Sequence, residues 1–224
     1  SYVNKSHSMA VIEASTLRVL SQENKDVRLE MASTTKIMTA LVVIENEDLD
    51  KEFTIPDEAV GVEGSSIYLK SKEIWTIRDL LYGLMLRSGN DAATALAMAT
   101  GGSVEKFVEM MNDKTEELGL ENTHFENPHG LHADNHYTSA YDLAVISAVA
   151  MQNETFKSIV SSKMYTVKAN SSHPTYYFAN KNKMLSLYDG ANGIKTGFTK
   201  DSGRCLVTSA ERNGMQLICV VLNV

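Results

Sequence analysis

The sequence predicts an α+β fold, with one antiparallel sheet assembled from both ends of the chain and a helical lobe inserted between them. Three observations lead there. Strand-like alternation is confined to the first and last thirds, and apolar residues recur at helical spacing through the middle. No Pro- or Gly-rich linker separates the parts. The expected division is a single domain over 1–224, with the sheet lobe at about 1–55 and 152–224 and the helical lobe at about 56–151.

Each element has its own signal. Ser8–Ala14 and Arg18–Ser21 alternate around a short turn and read as a hairpin. From Thr34 to Glu45 the residues Ile37, Met38, Ala40, Leu41 and Ile44 form one apolar stripe, which puts Ser33 at or near a helix N-terminus. Thr76 is placed to cap a helix carrying Ile77, Leu80, Leu81, Leu84 and Met85. Ser88-Gly89-Asn90 interrupts it, and Asp91–Ala99 is alanine-rich enough for a buried helix. Ser103–Leu118 and Tyr141–Met151 read as helices, and Asp57–Gly64 is ambiguous. Strand character returns at Met164–Lys168, Gly193–Gly197 and a final pair, Arg204–Ala210 and Met215–Leu222, joined by Asn213-Gly214.

Composition excludes several function classes. With 43% hydrophobic and 22% charged residues the 224-residue chain is not disordered. Its net charge of -7 gives no basic footprint for nucleic acid. No apolar run approaches the roughly 20 residues that span a bilayer. No basic, apolar signal segment opens the chain, so an export signal is expected to be removed or to lie outside it. The two cysteines, Cys205 and Cys219, do not make a disulfide scaffold. If Asn213 and Gly214 are the loop residues, Cys205 faces Leu222 and Cys219 faces Thr208, so the thiols sit on opposite sheet faces and stay reduced.

Three short motifs occur in order: Ser33-Thr34-Thr35-Lys36, Ser88-Gly89-Asn90 and Lys195-Thr196-Gly197. Chance supplies on the order of one S-x-x-K in a chain of this kind, and Ser103-Val104-Glu105-Lys106 is such a decoy, best read as a helix cap. All three motifs in this order are expected only about 0.02 times. Residues three apart share a helical face, so Lys36 can reach the Ser33 hydroxyl. A serine needs a base to become a nucleophile, and a lysine serves only when neutral, which burial or a second cation such as Lys195 promotes. Free N–H groups at a helix start can also receive an oxyanion.

Longer stretches carry a resemblance. Ala32 to Ala40, Val62-Glu63-Gly64-Ser65-Ser66, Asp79 to Met85 running on through Ser88 to Ala93, Asn127-Pro128-His129-Gly130-Leu131, His136-Tyr137, Tyr141-Asp142-Leu143-Ala144 and Gly193 to Thr199 are similar to serine D-alanyl-D-alanine carboxypeptidases, the low-molecular-mass penicillin-binding proteins. The similarity runs from about Ala10 to Val220. It implies the penicillin-binding transpeptidase/β-lactamase-like fold, a five-stranded antiparallel sheet flanked by helices with the site between sheet and lobe. It also implies roles: Ser33 acylated by the penultimate D-alanine carbonyl or by a β-lactam, Lys36 its base, Ser88 a proton relay and Asn90 a grip on the substrate backbone. Lys195, Thr196 and Gly197 would bind the terminal carboxylate side, and the backbone N–H groups of Ser33 and Phe198 would form the oxyanion hole. The partner is then a peptidoglycan stem peptide, acted on outside the cytoplasm, with no cofactor.

Two departures from the family pattern stand out. Lys181, in Asn180-Lys181-Asn182, occupies a position where many relatives carry an arginine for the substrate carboxylate, so a point charge replaces a fork. Relatives usually continue past the last strand into a closing helix, a β-rich domain and an anchor, so membrane association is expected only through segments outside this chain. Alternatives are an endopeptidase or transpeptidase with the same chemistry, a class A β-lactamase, and an inactive peptidoglycan-binding or β-lactam-sensing module. The β-lactamase lacks support because no Glu-x-x-Leu-Asn signature is present and Ser-Gly-Asn replaces Ser-Asp-Asn. His129, His132 and His136, with Asp134 nearby, have a spacing that can bind zinc, and the competing reading, a polar loop without metal, is preferred.

Overall fold

A computed structural model describes residues 7–224. The first six residues of the expected sheet lobe lie outside the described residues. In chain order come β1 (Ser8–Glu13), β2 (Val19–Glu23), α1 (Lys36–Asn46), β3 (Glu52–Thr54), β4 (Ile74–Thr76), α2 (Ile77–Arg87), α3 (Asn90–Gly101), α4 (Val104–Glu117) and α5 (Ala140–Gln152). They are followed by α6 (Glu154–Ser161), β5 (Met164–Val167), β6 (Tyr176–Ala179), α7 (Met184–Leu187), β7 (Ala191–Thr199), β8 (Gly203–Arg212) and β9 (Met215–Leu222).

Five strands form one antiparallel sheet in the order β2-β1-β9-β8-β7. The N-terminal hairpin therefore docks on the last strand of the chain, and β7 is left as an edge. Alternation does the sorting. Ala10, Ile12, Ile194, Val207, Ile218, Val220 and Leu222 point inward and are buried. Helix α5 covers them, packing on β1 and β9, while α6 packs on β7. Helix α5 is buried on nearly all sides, with only scattered half-exposed positions, as a central helix must be. Helix α1 lies between it and α2–α4.

Caps set the helix starts. Thr76 Oγ1 accepts from the Asp79 N–H at 3.1 Å, as its position before the apolar stripe predicts. Ser103 Oγ accepts from the Lys106 N–H at 3.2 Å, so the second S-x-x-K is a cap. The first differs. Ala32–Thr35 is a 3-10 turn, and the α-helix begins only at Lys36, later than the stripe suggested. Strand β5 lies where Met164–Lys168 read as a strand, whereas the ribbon β3–β4, strand β6 and helix α6 carry no usable sequence pattern, being three to eight residues long. In the final hairpin Thr208 pairs with Cys219 and Leu206 with Val221, the register the Asn213-Gly214 turn implies. Both cysteines are free, Cys205 buried and Cys219 half-buried.

One close approach ties the lobes together. Gly130, at φ +97°, lies so near Ala32 that a β-carbon would stand 1.9 Å from the Ala32 carbonyl oxygen. Ala32 itself has φ +48°, a left-handed value that costs a non-glycine residue about 1–3 kcal/mol. Gly130→Ala should lower the thermal unfolding midpoint by roughly 5–10 °C, measured by circular dichroism, since the added carbon must displace backbone. Denatured, unreduced protein should titrate with two free thiols.

Candidate active site

The site lies where the turn before α1, the α2–α3 junction, the loop around His129 and edge strand β7 converge. Its centre is Lys36. The side chain is fully buried, and Nζ lies 2.9 Å from Ser33 Oγ, 2.7 Å from Asn90 Oδ1 and 2.6 Å from the His129 carbonyl oxygen. The 3-10 turn brings Ser33 and Lys36 together, because residues three apart eclipse in that geometry.

Burial pushes the Lys36 amine well below its ordinary value, and the nearby Lys195 and Lys181 push it the same way. A neutral amine has two protons and one lone pair. In that form the two carbonyl oxygens, Asn90 Oδ1 and His129 O, can take the protons, and the lone pair is then open to the Ser33 hydroxyl. Lys195 is 2% exposed and bonds the Thr196 carbonyl at 2.9 Å. Burial first, and Lys181 second, bring Lys195 down to about 7. Both buried amines are thus driven toward their neutral forms, Lys36 in part by the charge of Lys195.

The supporting shell is backbone and buried polar groups. Ser88 ends α2 with φ +61°, and the sharp turn sets Ser88 at the cavity beside Ser33 and Asn90 behind it, on Lys36. Asn90 donates through Nδ2 to the Glu63 carbonyl at 2.7 Å, so its Oδ1 must face Lys36. Gly64 leaves the room for that amide; a β-carbon there would stand 2.6 Å from Asn90 Nδ2. Asp91 accepts from the Ser66 hydroxyl and from the N–H groups of Ile67 and Leu69, holding the 63–69 loop against α3. Thr39 donates to the Pro128 carbonyl at 2.6 Å. His136 accepts the Glu126 N–H on Nδ1, so its neutral form donates from Nε2 to Thr35 Oγ1 at 2.8 Å. Burial, the largest cause, pushes His136 down to about 3 and keeps the ring neutral.

A cavity of about 660 Å³ opens beside Ser33, lined by Ser88, Lys181, Thr196, Gly197 and Phe198 among others. Gly197 abuts the Ser33 turn, where a β-carbon would stand 2.9 Å from the Ser33 nitrogen. Every site residue picked out from the sequence is therefore at this cavity or one contact from it. Sequence reasoning missed the His129 and Glu63 carbonyls, Gly64, Asp91 and Arg204, which lines the same cavity. Backbone acceptors leave no residue-type signal, although their stretches stood out as family-like.

The histidines follow separate courses. His129 Nδ1 accepts the Leu131 N–H, both His136 nitrogens are engaged by Glu126 and Thr35, and His132 Nδ1 meets Glu30 at 2.5 Å. Among the described residues the convergent metal-capable group is instead Glu30, His132 and Asp201. Glu30 raises the His132 value, the mark of a charge-assisted bond.

Comparison with known proteins places this geometry. A family model described as D-alanyl-D-alanine carboxypeptidase matches residues 3–224. The chain belongs to this family, peptidase S11. The Bacillus subtilis carboxypeptidase DacF is 36% identical over 223 residues, covering 97% of this chain and 57% of the relative. A Streptomyces K15 carboxypeptidase is 40% identical over 213 residues, covering 88% and 73%. The crystal structure of the Streptomyces K15 DD-transpeptidase superposes with TM-score 0.90 at 38% identity, over 96% of this chain and 88% of that one. Francisella tularensis DacD superposes at 0.88 with 31% identity, over 97% and 65%. The chain thus spans little more than half of some S11 relatives. Among the described residues no helix is long and apolar enough to cross a membrane.

The buried amines make stability pH-dependent. An unfolded Lys195 titrates near its ordinary 10.5 and the folded one near 7, so between these values the unfolded chain holds the extra proton. Stability from this group is therefore lowest below pH 7 and rises with pH. The unfolding free energy of wild type relative to Lys195→Met, from urea denaturation at increasing pH from 7 to 9, should grow by about 1 kcal/mol per pH unit.

Proposed function

We propose that the protein is a serine-type D-Ala-D-Ala carboxypeptidase that removes the terminal D-alanine from peptidoglycan stem pentapeptides and is acylated by β-lactams. The observation that carries this reading is the buried Lys36 amine, 2.9 Å from Ser33 Oγ and held by the carbonyl oxygens of Asn90 and His129. Family membership supports it. Ser33 Oγ attacks the penultimate D-alanine carbonyl as its proton passes to Lys36. The N–H groups of Ser33 and Phe198 receive the oxyanion, a contact worth about 10²–10³ in rate per donor. Ser88 relays a proton to the leaving D-alanine amine, and water then hydrolyses the acyl-enzyme.

Substrate grip falls to the cavity's other groups. Asn90 holds the peptide backbone, and Lys195, Thr196 and Gly197 line the terminal carboxylate side, with Lys181 as a further cation. Burial, with Arg87 second, lowers Lys181 from its ordinary value, which suits a cation awaiting an anionic partner. The reaction takes place outside the cytoplasm, in the cell envelope, and any membrane attachment comes from segments other than those described. A transpeptidase outcome is the second reading, because the Streptomyces K15 relative bears both names. The same acyl-enzyme then passes to a peptide amine instead of water.

Incubation with a pentapeptide ending in D-Ala-D-Ala should release D-alanine, and peptide mapping should place a benzylpenicillin adduct on Ser33. Lys36→Ala should slow acylation by roughly 10²–10⁴-fold, as for a lost general base. An adduct on Ser103, or none, would overturn the assignment. Amidating the terminal D-alanine should cost about 10–150-fold in kcat/KM per lost charge-assisted bond, and Thr196→Val should narrow that difference. Equal rates on acid and amide would point to an endopeptidase.

A further inference from the structure

Beyond the cluster around Ser33 the cavity continues across the outer face of the sheet, and its far wall carries a cation. Register defines that wall. Thr196 pairs with Leu206, Leu206 with Val221, and Phe198 with Arg204. Cross-strand partners, and residues two apart along a strand, share a face, so Thr196, Phe198, Arg204, Leu206 and Val221 line one side, as the cavity lining bears out. Arg204 and Phe198 are exposed at it.

Strand β7 is the sheet edge, and an extended peptide can lie along such an edge. The carboxypeptidase reading, on which this inference rests, fixes the peptide's direction. Its terminal carboxylate lies toward Lys195 and Thr196, and its scissile carbonyl lies at Ser33, beside Gly197 and Phe198. The peptide therefore runs antiparallel to β7, and its N-terminal part passes Phe198 toward Thr199. Successive residues advance about 3.3 Å, so the residue preceding the two D-alanines comes level with the Phe198–Arg204 pair or just past it. Its side chain meets a surface made of an aromatic ring, the aliphatic side chains of Leu206 and Val221, and a guanidinium. Such a surface suits a long side chain with an apolar stem and an acidic end.

We propose that Arg204 is a specificity-determining residue that pairs with a carboxylate on the side chain of the residue immediately N-terminal to D-Ala-D-Ala. Lys181, Lys195 and Thr196 then read the carboxylate at one end of the substrate, and Arg204 reads a second one on the acyl side. A planar guanidinium can take that carboxylate through two N–H groups, which a lysine cannot. The pair is exposed, so its contribution is modest and sensitive to salt.

The test uses two acetylated tripeptides, Nε-succinyl-lysyl-D-Ala-D-Ala and the same peptide with the succinyl carboxylate converted to its amide. D-alanine release should favour the acidic peptide by about three- to tenfold in kcat/KM, and the ratio should shrink as ionic strength rises. In Arg204→Gln the ratio should fall to within about twofold of one through loss on the acidic peptide, and Arg204→Lys should restore part of it. Equal rates on the two peptides with the wild-type protein would overturn the proposal. So would a parallel fall on both peptides in Arg204→Gln, the mark of a structural role. Release from neither peptide would overturn the carboxypeptidase reading itself, and this inference with it.

Discussion

The burial of one lysine amine organises the molecule. Lys36 has no solvent contact, and burial together with two nearby lysines disfavours its charged form. The amine is accommodated because three segments remote in sequence each present an oxygen: the Ser33 turn, the Asn90 side chain and the His129 carbonyl. Each oxygen is in turn fixed from behind. Asn90 is pinned by Glu63, the His129 loop is hooked to α1 through Thr39 and Thr35, and Gly130 is pressed against Ala32. The geometry around Ser33 is thus a consequence of satisfying a buried amine.

That constraint sets the division of labour between the two halves of the fold. The helices supply the buried polar groups, since their ends and junctions expose backbone groups at fixed positions. The sheet supplies an edge. Among the described residues its strand order leaves β7 with one unpartnered side, and that side lies against the turn carrying Ser33. The Ser33 hydroxyl, the Lys36 amine and the Gly197 backbone thus stand close together, the arrangement on which the proposed acyl transfer draws. The left-handed Ala32 and Ser88 are local costs of this arrangement, and both stand beside the chemistry.

Local signals carried far in some regions and stopped short in others. Thr76 and Ser103 were legible as caps because a cap acts within one turn. The final hairpin register followed from Asn213-Gly214, since a two-residue loop fixes every pair after it. Helix α6, the ribbon β3–β4 and strand β6 were not legible, because they are too short for a period to repeat and are held by tertiary packing, although β5 was read at Met164–Lys168. The onset of α1 was misjudged by two residues. A 3-10 turn and an α-helix place apolar residues on much the same face over one turn, and only the hydrogen bonds separate them.

The sequence by itself determined which residue types are available for the chemistry, and that Ser33 and Lys36 are neighbours, because a spacing of three is enforced by any helical turn. It also determined the family through stretches whose combination chance does not supply. Only the tertiary structure decided that the amine is buried and pushed toward its neutral form, and which oxygens surround it. Two of those oxygens are the carbonyl oxygens of Asn90 and His129, groups separated from Lys36 by 54 and 93 residues. Ionisation depends on the local dielectric and on what stands within a few ångströms, and no local reading of a chain contains either.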